Sequence, residues 1–179
     1  CVDGCEIREG YASNRTVTSR SHTSYGGGAY MTEGALPRKC ILTQNAAKRR
    51  GGAVYMDGGG RMENCYVTRN QTTGVGLTDG QGGGVCMEDG APVVMHCIIE
   101  NNSARIGGGL AIWTDRDYTT ASADSVKLFY QPAAMGCIVN NNTSSTEAGG
   151  VLMRGGTINH LTVTANQCTG QDITYENRR

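Results

Sequence analysis

Gly51-Gly-Ala-Val-Tyr-Met56, followed by Cys65-Tyr-Val67-Thr-Arg-Asn70, carries the architectural plan of this chain. Val54 and Met56 are two residues apart and share one face of an extended strand, with Tyr55 between them on the other. Cys65 and Val67 repeat that alternation, and Asn70 stands where the second strand must turn. Both halves recur along the chain. The second returns as Cys5-Glu-Ile7-Arg-Glu-Gly10, Cys40-Ile-Leu42-Thr-Gln-Asn45, Cys97-Ile-Ile99-Glu-Asn-Asn102, Cys137-Ile-Val139-Asn-Asn-Asn142 and Leu161-Thr-Val163-Thr-Ala-Asn166. The first returns at 26–31, 82–87, 107–112 and 148–153, each time as a small-residue cluster followed by an apolar strand.

Cys40 and Cys65 are 25 residues apart, and Cys137 and Leu161 are 24. A repeat of this length is one supersecondary unit whose hydrophobic face is buried only by its neighbours, so the chain is a solenoid. Stacked in register, the repeats give inward columns Ala29/Val54/Val85/Leu110/Val151 and Met31/Met56/Met87/Ile112/Met153, apolar at every position. Three short strands per coil, with Gly- or Asn-containing turns, predict an all-β, single-stranded parallel β-helix of about six coils. The strong right-handed preference of parallel crossovers predicts its hand. The chain reads as one β-helix domain, 1–179, with insertions at 11–25, 71–81 and 113–131. Because it does not begin with Met, it is expected to be a segment of a longer protein; a lipid-modified Cys1 is the alternative.

The column Asn45, Asn70, Asn102, Asn142 and Asn166 follows the strand ends, where backbone groups leave the sheet. A side-chain amide both donates and accepts, so this column predicts a structural ladder between coils. The glycine runs recur once per coil and read as corners rather than phosphate loops. Cys5, Cys40, Cys65, Cys97 and Cys137 also share one position. Neighbours about 4.8 Å apart with parallel side chains make poor disulfides, which predicts a structural column of reduced thiols. Cys86 by its parity and Cys168 by its place after the last Asn are the expected reactive thiols.

These motifs resemble the repeats of right-handed β-helix proteins on bacterial surfaces, including polymorphic outer-membrane proteins and autotransporter passengers. The resemblance spans roughly residues 5–166. Cys or Leu stands here where those passengers often carry Phe. It implies an extracellular or bacterial cell-surface location, and a scaffold that hosts adhesins, lyases and glycosidases alike.

Composition narrows the functions. With 16 basic and 16 acidic residues among 179, the chain lacks the charge of a nucleic-acid binder, and no apolar run is long enough for a membrane-spanning helix. Neither His-Glu-x-x-His nor Gly-x-Ser-x-Gly occurs. His22, His96 and His160 lack metal spacing, and the last two fall at one corner two coils apart. The third insertion carries the only Trp with acids and a base, and predicts a carbohydrate site: Asp115, Asp117 and Lys127 as catalytic candidates, Trp113, Tyr118 and Tyr130 as ligand contacts.

An acidic row after each Met strand, Glu33, Asp57, Asp89 and Asp115, is the candidate for calcium, the one cation expected; no other cofactor is. The outward column Tyr30/Tyr55/Cys86/Ala111/Leu152 reads as an exposed apolar stripe for a polysaccharide or cell-surface ligand, unless a loop folds over it. The leading expectation is a non-enzymatic adhesive or structural segment, joined at its ends to a flanking β-helix or a second copy. The alternative is a polysaccharide lyase or glycoside hydrolase acting at the 113–131 loop.

Overall fold

The computed structural model describes residues 1–13, 24–76, 79–114 and 131–170, and shows a right-handed solenoid of stacked parallel strands. The first five coils each contribute to four sheets, one more than the repeat pattern predicts, and the sixth contributes to three among the described residues. The first sheet stacks Val2–Asp3, Pro37–Arg38, Arg61–Glu63, Val93–Met95, Ala133–Met135 and Thr157–Asn159. The second stacks Glu6–Arg8, Ile41–Thr43, Tyr66–Thr68, Ile98–Glu100, Ile138–Asn140 and Thr162–Thr164. The third holds Tyr11–Ala12, Ala46–Ala47, Gln71–Thr72, Ser103–Ile106, Thr143–Glu147 and Gln167–Cys168. Ala29–Met31, Val54–Asp57, Val85–Glu88, Leu110–Trp113 and Val151–Arg154 make the fourth.

Left-handed residues explain the extra division. Asn64 (φ 52°) and His96 (φ 52°) separate the first sheet from the second, and Arg69 (φ 56°) and Asn101 (φ 55°) separate the second from the third. Gly51 and Gly82, at φ 64° and 63°, lead from the third to the fourth. Such a residue reverses the local twist without breaking the ladder, so two-residue strands too short to show periodicity still pair across coils. Three stretches assigned to insertions are therefore strands: Tyr11–Ala12, Gln71–Thr72 and the end of Leu110–Trp113. The pairing of Ala104 and Ile106 with Ser144 and Glu147 is irregular, with one extra residue on the later strand.

Leu42, Val67, Ile99 and Val139 from the second sheet interdigitate with Met62, Val94 and Ala134 from the first. Val54, Met56, Val85, Met87, Leu110 and Ile112 close the core from the fourth. All of these are fully buried. The cysteine column fills the corner beside them: Cys40, Cys65, Cys97 and Cys137 are buried, Cys5 is exposed and every thiol is free. Each buried thiol donates to the carbonyl two residues earlier, from Cys40 to Arg38 at 3.1 Å to Cys137 to Met135 at 3.3 Å. Contacts with the Cys137 and Cys65 thiols, and then burial, raise the Cys97 thiol above its ordinary value.

The asparagines form a continuous chain through the corner between the second and third sheets. Asn45, Asn70, Asn102 and Asn142 each donate an Nδ2 hydrogen to Oδ1 of the next Asn, at 2.9–3.0 Å. That same Oδ1 accepts the backbone N–H of the preceding ladder residue at 2.9 Å. The remaining amide hydrogen reaches back to a strand carbonyl of the previous coil, as in Asn70 to Leu42 and Asn102 to Val67. One side chain thus satisfies the backbone groups that the turn withdraws from the sheet.

The Gly-Gly corner is fixed by space as well as by φ. A Cβ on Gly52 would run into the Gly83 carbonyl oxygen and lie 2.6 Å from that of Gln71. At Gly58 (φ 74°) a Cβ meets nothing within 4 Å. Gly52→Ala is therefore expected to cost about 3 kcal/mol, and Gly58→Ala only the left-handed penalty of about 1–2 kcal/mol, as read by urea unfolding. Asn70→Ala strands Asn45 N–H and the Leu42 carbonyl in the core and should cost about 3 kcal/mol or more. The exposed Asn159→Ala should cost under about 0.5 kcal/mol. Equal shifts in thermal midpoint for the two Asn variants would refute the ladder's structural role.

Candidate functional site

Tyr30, Tyr55, Cys86, Ala111 and Leu152 stand in register on the outer face of the fourth sheet, as their alternation requires. They do not form an open stripe. Tyr30 is 37% exposed, whereas Tyr55 is 3% exposed and Cys86 and Ala111 are fully covered. The reason lies in the Gly-Gly corner. The row that precedes it, Tyr25, Arg50, Gln81 and Ile106, is also bridged coil to coil and runs alongside the outer face of this sheet.

Tyr25 stacks on Tyr55 with ring centroids 4.7 Å apart, and Tyr30 leans on Tyr55 at 5.2 Å. Arg49 lies over the Tyr25 ring at 5.4 Å. A second apolar cluster of Tyr55, Cys86 and Ala111, with Tyr25 and Leu152 packed against it, therefore sits outside the main core.

Arg50 reaches across this cluster to Glu88, and the Tyr55 hydroxyl donates to the other oxygen of the same carboxylate. Both partners of the ion pair are largely buried. Tyr30 donates to Asp57 at 2.7 Å. Burial, followed by the carboxylate each phenol faces, raises Tyr55 and Tyr30 above the ordinary tyrosine range, so both remain protonated donors. Trp113 is the last residue of its strand rather than part of a loop, and its ring carries the Arg154 guanidinium at 4.4 Å and that of Arg50 at 5.9 Å.

The register also corrects the acidic row. Asp57 is aligned with Glu88, which is aligned with Trp113 and then Arg154. Asp89 lies one residue beyond the row, at φ 45°. One extra residue separates Met87 from Gly90 compared with Met56 and Gly58, so matching the Asp-Gly pairs shifts the alignment. Asp57 and Asp89 are thus not stacked as a calcium row, and no three His, Cys, Asp or Glu gather to hold a metal ion among the described residues. Asp115, Asp117, Tyr118, Lys127 and Tyr130, like His22, lie outside those residues.

Arg50, Glu88 and Arg154 were missed as site residues. The signal for Glu88 was its alignment with Asp57 by distance from Met; Arg50 carried only its place beside a Gly-Gly corner. His96 and His160 share a left-handed corner with Gly136 between them, and the His96 ring covers Gly136, where a Cβ would fall 2.7 Å from its Cδ2.

Cys86 points away from the main core as its parity requires, yet it is not a reactive thiol. Burial pushes it up to about 12. Cys1, Cys5 and Cys168 are the exposed thiols. Alkylation of the native protein is expected to modify those three and spare Cys86. Glu88→Ala leaves Arg50 buried without its partner, a loss of about 3–5 kcal/mol, and should open Cys86 to the reagent. Labelling of Cys86 at the rate of Cys168 in the unaltered protein would contradict this arrangement.

No curated protein and no solved structure shows significant similarity to the chain. The family model described as a right-handed β-helix region matches residues 2–126, well over half of the sequence, and the stacked parallel sheets agree with it. The chain belongs to the right-handed β-helix family.

Proposed function

We propose that this chain is a non-enzymatic β-helix, acting outside the cell or on a bacterial cell surface as an adhesive or structural segment. The observation that supports this reading best is the way the outer face of the fourth sheet consumes its own chemistry. Glu88 is held by Arg50 and Tyr55, Asp57 by Tyr30, and the Trp113 ring by two guanidinium groups. A glycosidase or lyase needs a carboxylate or base poised toward substrate and an aromatic face open for stacking. Here these groups brace one another, as suits a rigid spacer.

In this reading the kinship is with the passenger segments of polymorphic outer-membrane and autotransporter proteins. The partners are a polysaccharide or cell-surface ligand on a side face, and a flanking helix or a second copy at the ends.

Incubation with a panel of neutral and acidic polysaccharides tests the proposal. New reducing ends and unsaturated uronate products should not exceed the buffer control, while the intact protein should still be retained on one or more of the immobilised polymers. Turnover that is lost in Asp115→Asn or Asp117→Asn would overturn it in favour of an enzyme.

A further inference from the structure

The corner between the first and second sheets carries donor groups that no other part of the molecule uses. There successive coils present the left-handed residues Lys39, Asn64, His96, Gly136 and His160, with φ between 50° and 59°. All five are exposed. The register runs unbroken through them, because the N–H groups of Lys39, Asn64, His96 and Gly136 donate to the carbonyls of Glu63, Met95, Met135 and Asn159 on the following coils at 2.9–3.1 Å. Met95, Met135 and Asn159, each just before the corner, are paired in one row of the first sheet.

His96 and His160 are therefore two coils apart, about 9.6 Å along the stack. Gly136 stands between them and has no side chain. The His96 ring occupies that gap: a Cβ on Gly136 would fall 2.7 Å from its Cδ2 and 3.2 Å from its Nε2. One imidazole nitrogen thus lies over the fifth coil, which leaves about one coil spacing, about 4.8 Å, to His160. Neither ring makes a hydrogen bond or ion pair among the described residues, so each keeps an acceptor nitrogen in its neutral form.

The donor set decides the guest. The corner row holds no carboxylate, which leaves a hard cation such as calcium without its ligands. Imidazoles suit a borderline transition-metal ion, and among the divalent ions of that kind copper binds nitrogen donors most tightly. Met135, 38% exposed and immediately before Gly136, adds a thioether, a soft donor that also suits copper. We infer that His96 and His160 hold one copper ion between them over Gly136, with Met135 beside it and water in the remaining positions. Metal–nitrogen bonds of about 2.0 Å on either side, together with the reach of an exposed imidazole that turns about its side-chain torsions, close the gap. The spacing is too wide for two rings that stand apart, and becomes a chelate because the glycine lets one ring lean toward the other. This site goes beyond the adhesive reading and does not depend on it.

Titration of the whole chain with Cu²⁺ tests the site, after alkylation of the exposed thiols and with free glycine as a competing chelator. One equivalent should bind, with nitrogen superhyperfine splitting from imidazole in its electron paramagnetic resonance spectrum, and Zn²⁺ should displace it only at much higher concentration. His96→Gln and His160→Gln should each weaken binding about tenfold or more. Gly136→Asn keeps both imidazoles and introduces a residue type that the same corner already carries at Asn64 with φ 52°. Its side chain takes the space of the His96 ring, so binding should weaken several-fold while the thermal midpoint stays near that of the unaltered chain.

Absence of copper binding, undiminished affinity in either His variant, or full affinity in a folded Gly136→Asn would overturn the bridge. Tighter binding of Zn²⁺ than of Cu²⁺ would overturn the choice of metal. Should Gly136→Asn fail to fold, the two His variants, both at exposed positions, still decide the matter. None of these results bears on retention of the protein by a polysaccharide, so the adhesive reading stands or falls separately.

Discussion

Every coil of this protein depends on the hydrogen bonds that tie it to the next, and the asparagine ladder shows why they must continue through the corners. A parallel β-helix satisfies its backbone between coils, so each turn removes N–H and C=O groups from their partners in an environment without water. Asn45 through Asn166 return those partners with a single amide per coil, giving to the next Oδ1 and to a carbonyl of the coil before. The stack remains straight enough for Leu42, Val67, Ile99 and Val139 to lie in one column of the core. The same alignment holds the thiols of Cys40 to Cys137 in a row, each bonded to its own strand rather than bridged.

The corners also decide what the outer faces can do. Where the chain passes from the third to the fourth sheet, close packing of Gly52 against the Gly83 and Gln71 carbonyls brings Tyr25, Arg50 and Gln81 beside the column of Tyr55, Cys86 and Ala111. The step from large Tyr55 to small Cys86 and Ala111 leaves room for the Arg50 side chain to cross to Glu88. A buried ion pair is weak evidence for stability, because desolvation offsets its attraction. It does, however, lock the face in one arrangement, since either partner left alone is strongly unfavourable.

The two outer faces consequently differ in kind. The fourth sheet presents aromatic and carboxylate groups that hold one another, which favours rigidity over turnover. The third sheet is made of short strands rich in small and hydroxylated side chains, among them Ala47, Thr72, Ser103, Ala104, Thr143 and Ser144. A scaffold whose coils repeat at a fixed rise can place like groups in line over several coils.

The sequence by itself determined the coil length, the inward columns, the glycine corners and the asparagine positions. Each depends on local alternation or on a repeat spacing that survives without tertiary information. Parity also placed Cys86 and Tyr55 on the outer side of their strand. What parity does not encode is the cover over that side, because Tyr25 and Arg50 reach it only after the chain has turned through Gly26 and Gly51.

The partner of Asp57 was likewise settled in three dimensions. Motif matching pairs it with Asp89, but hydrogen bonding aligns strands by distance from Met56 and Met87, and that selects Glu88. Four sheets in place of three have the same origin: strands of two residues have no period to read, and only pairing with the coils above and below makes them strands.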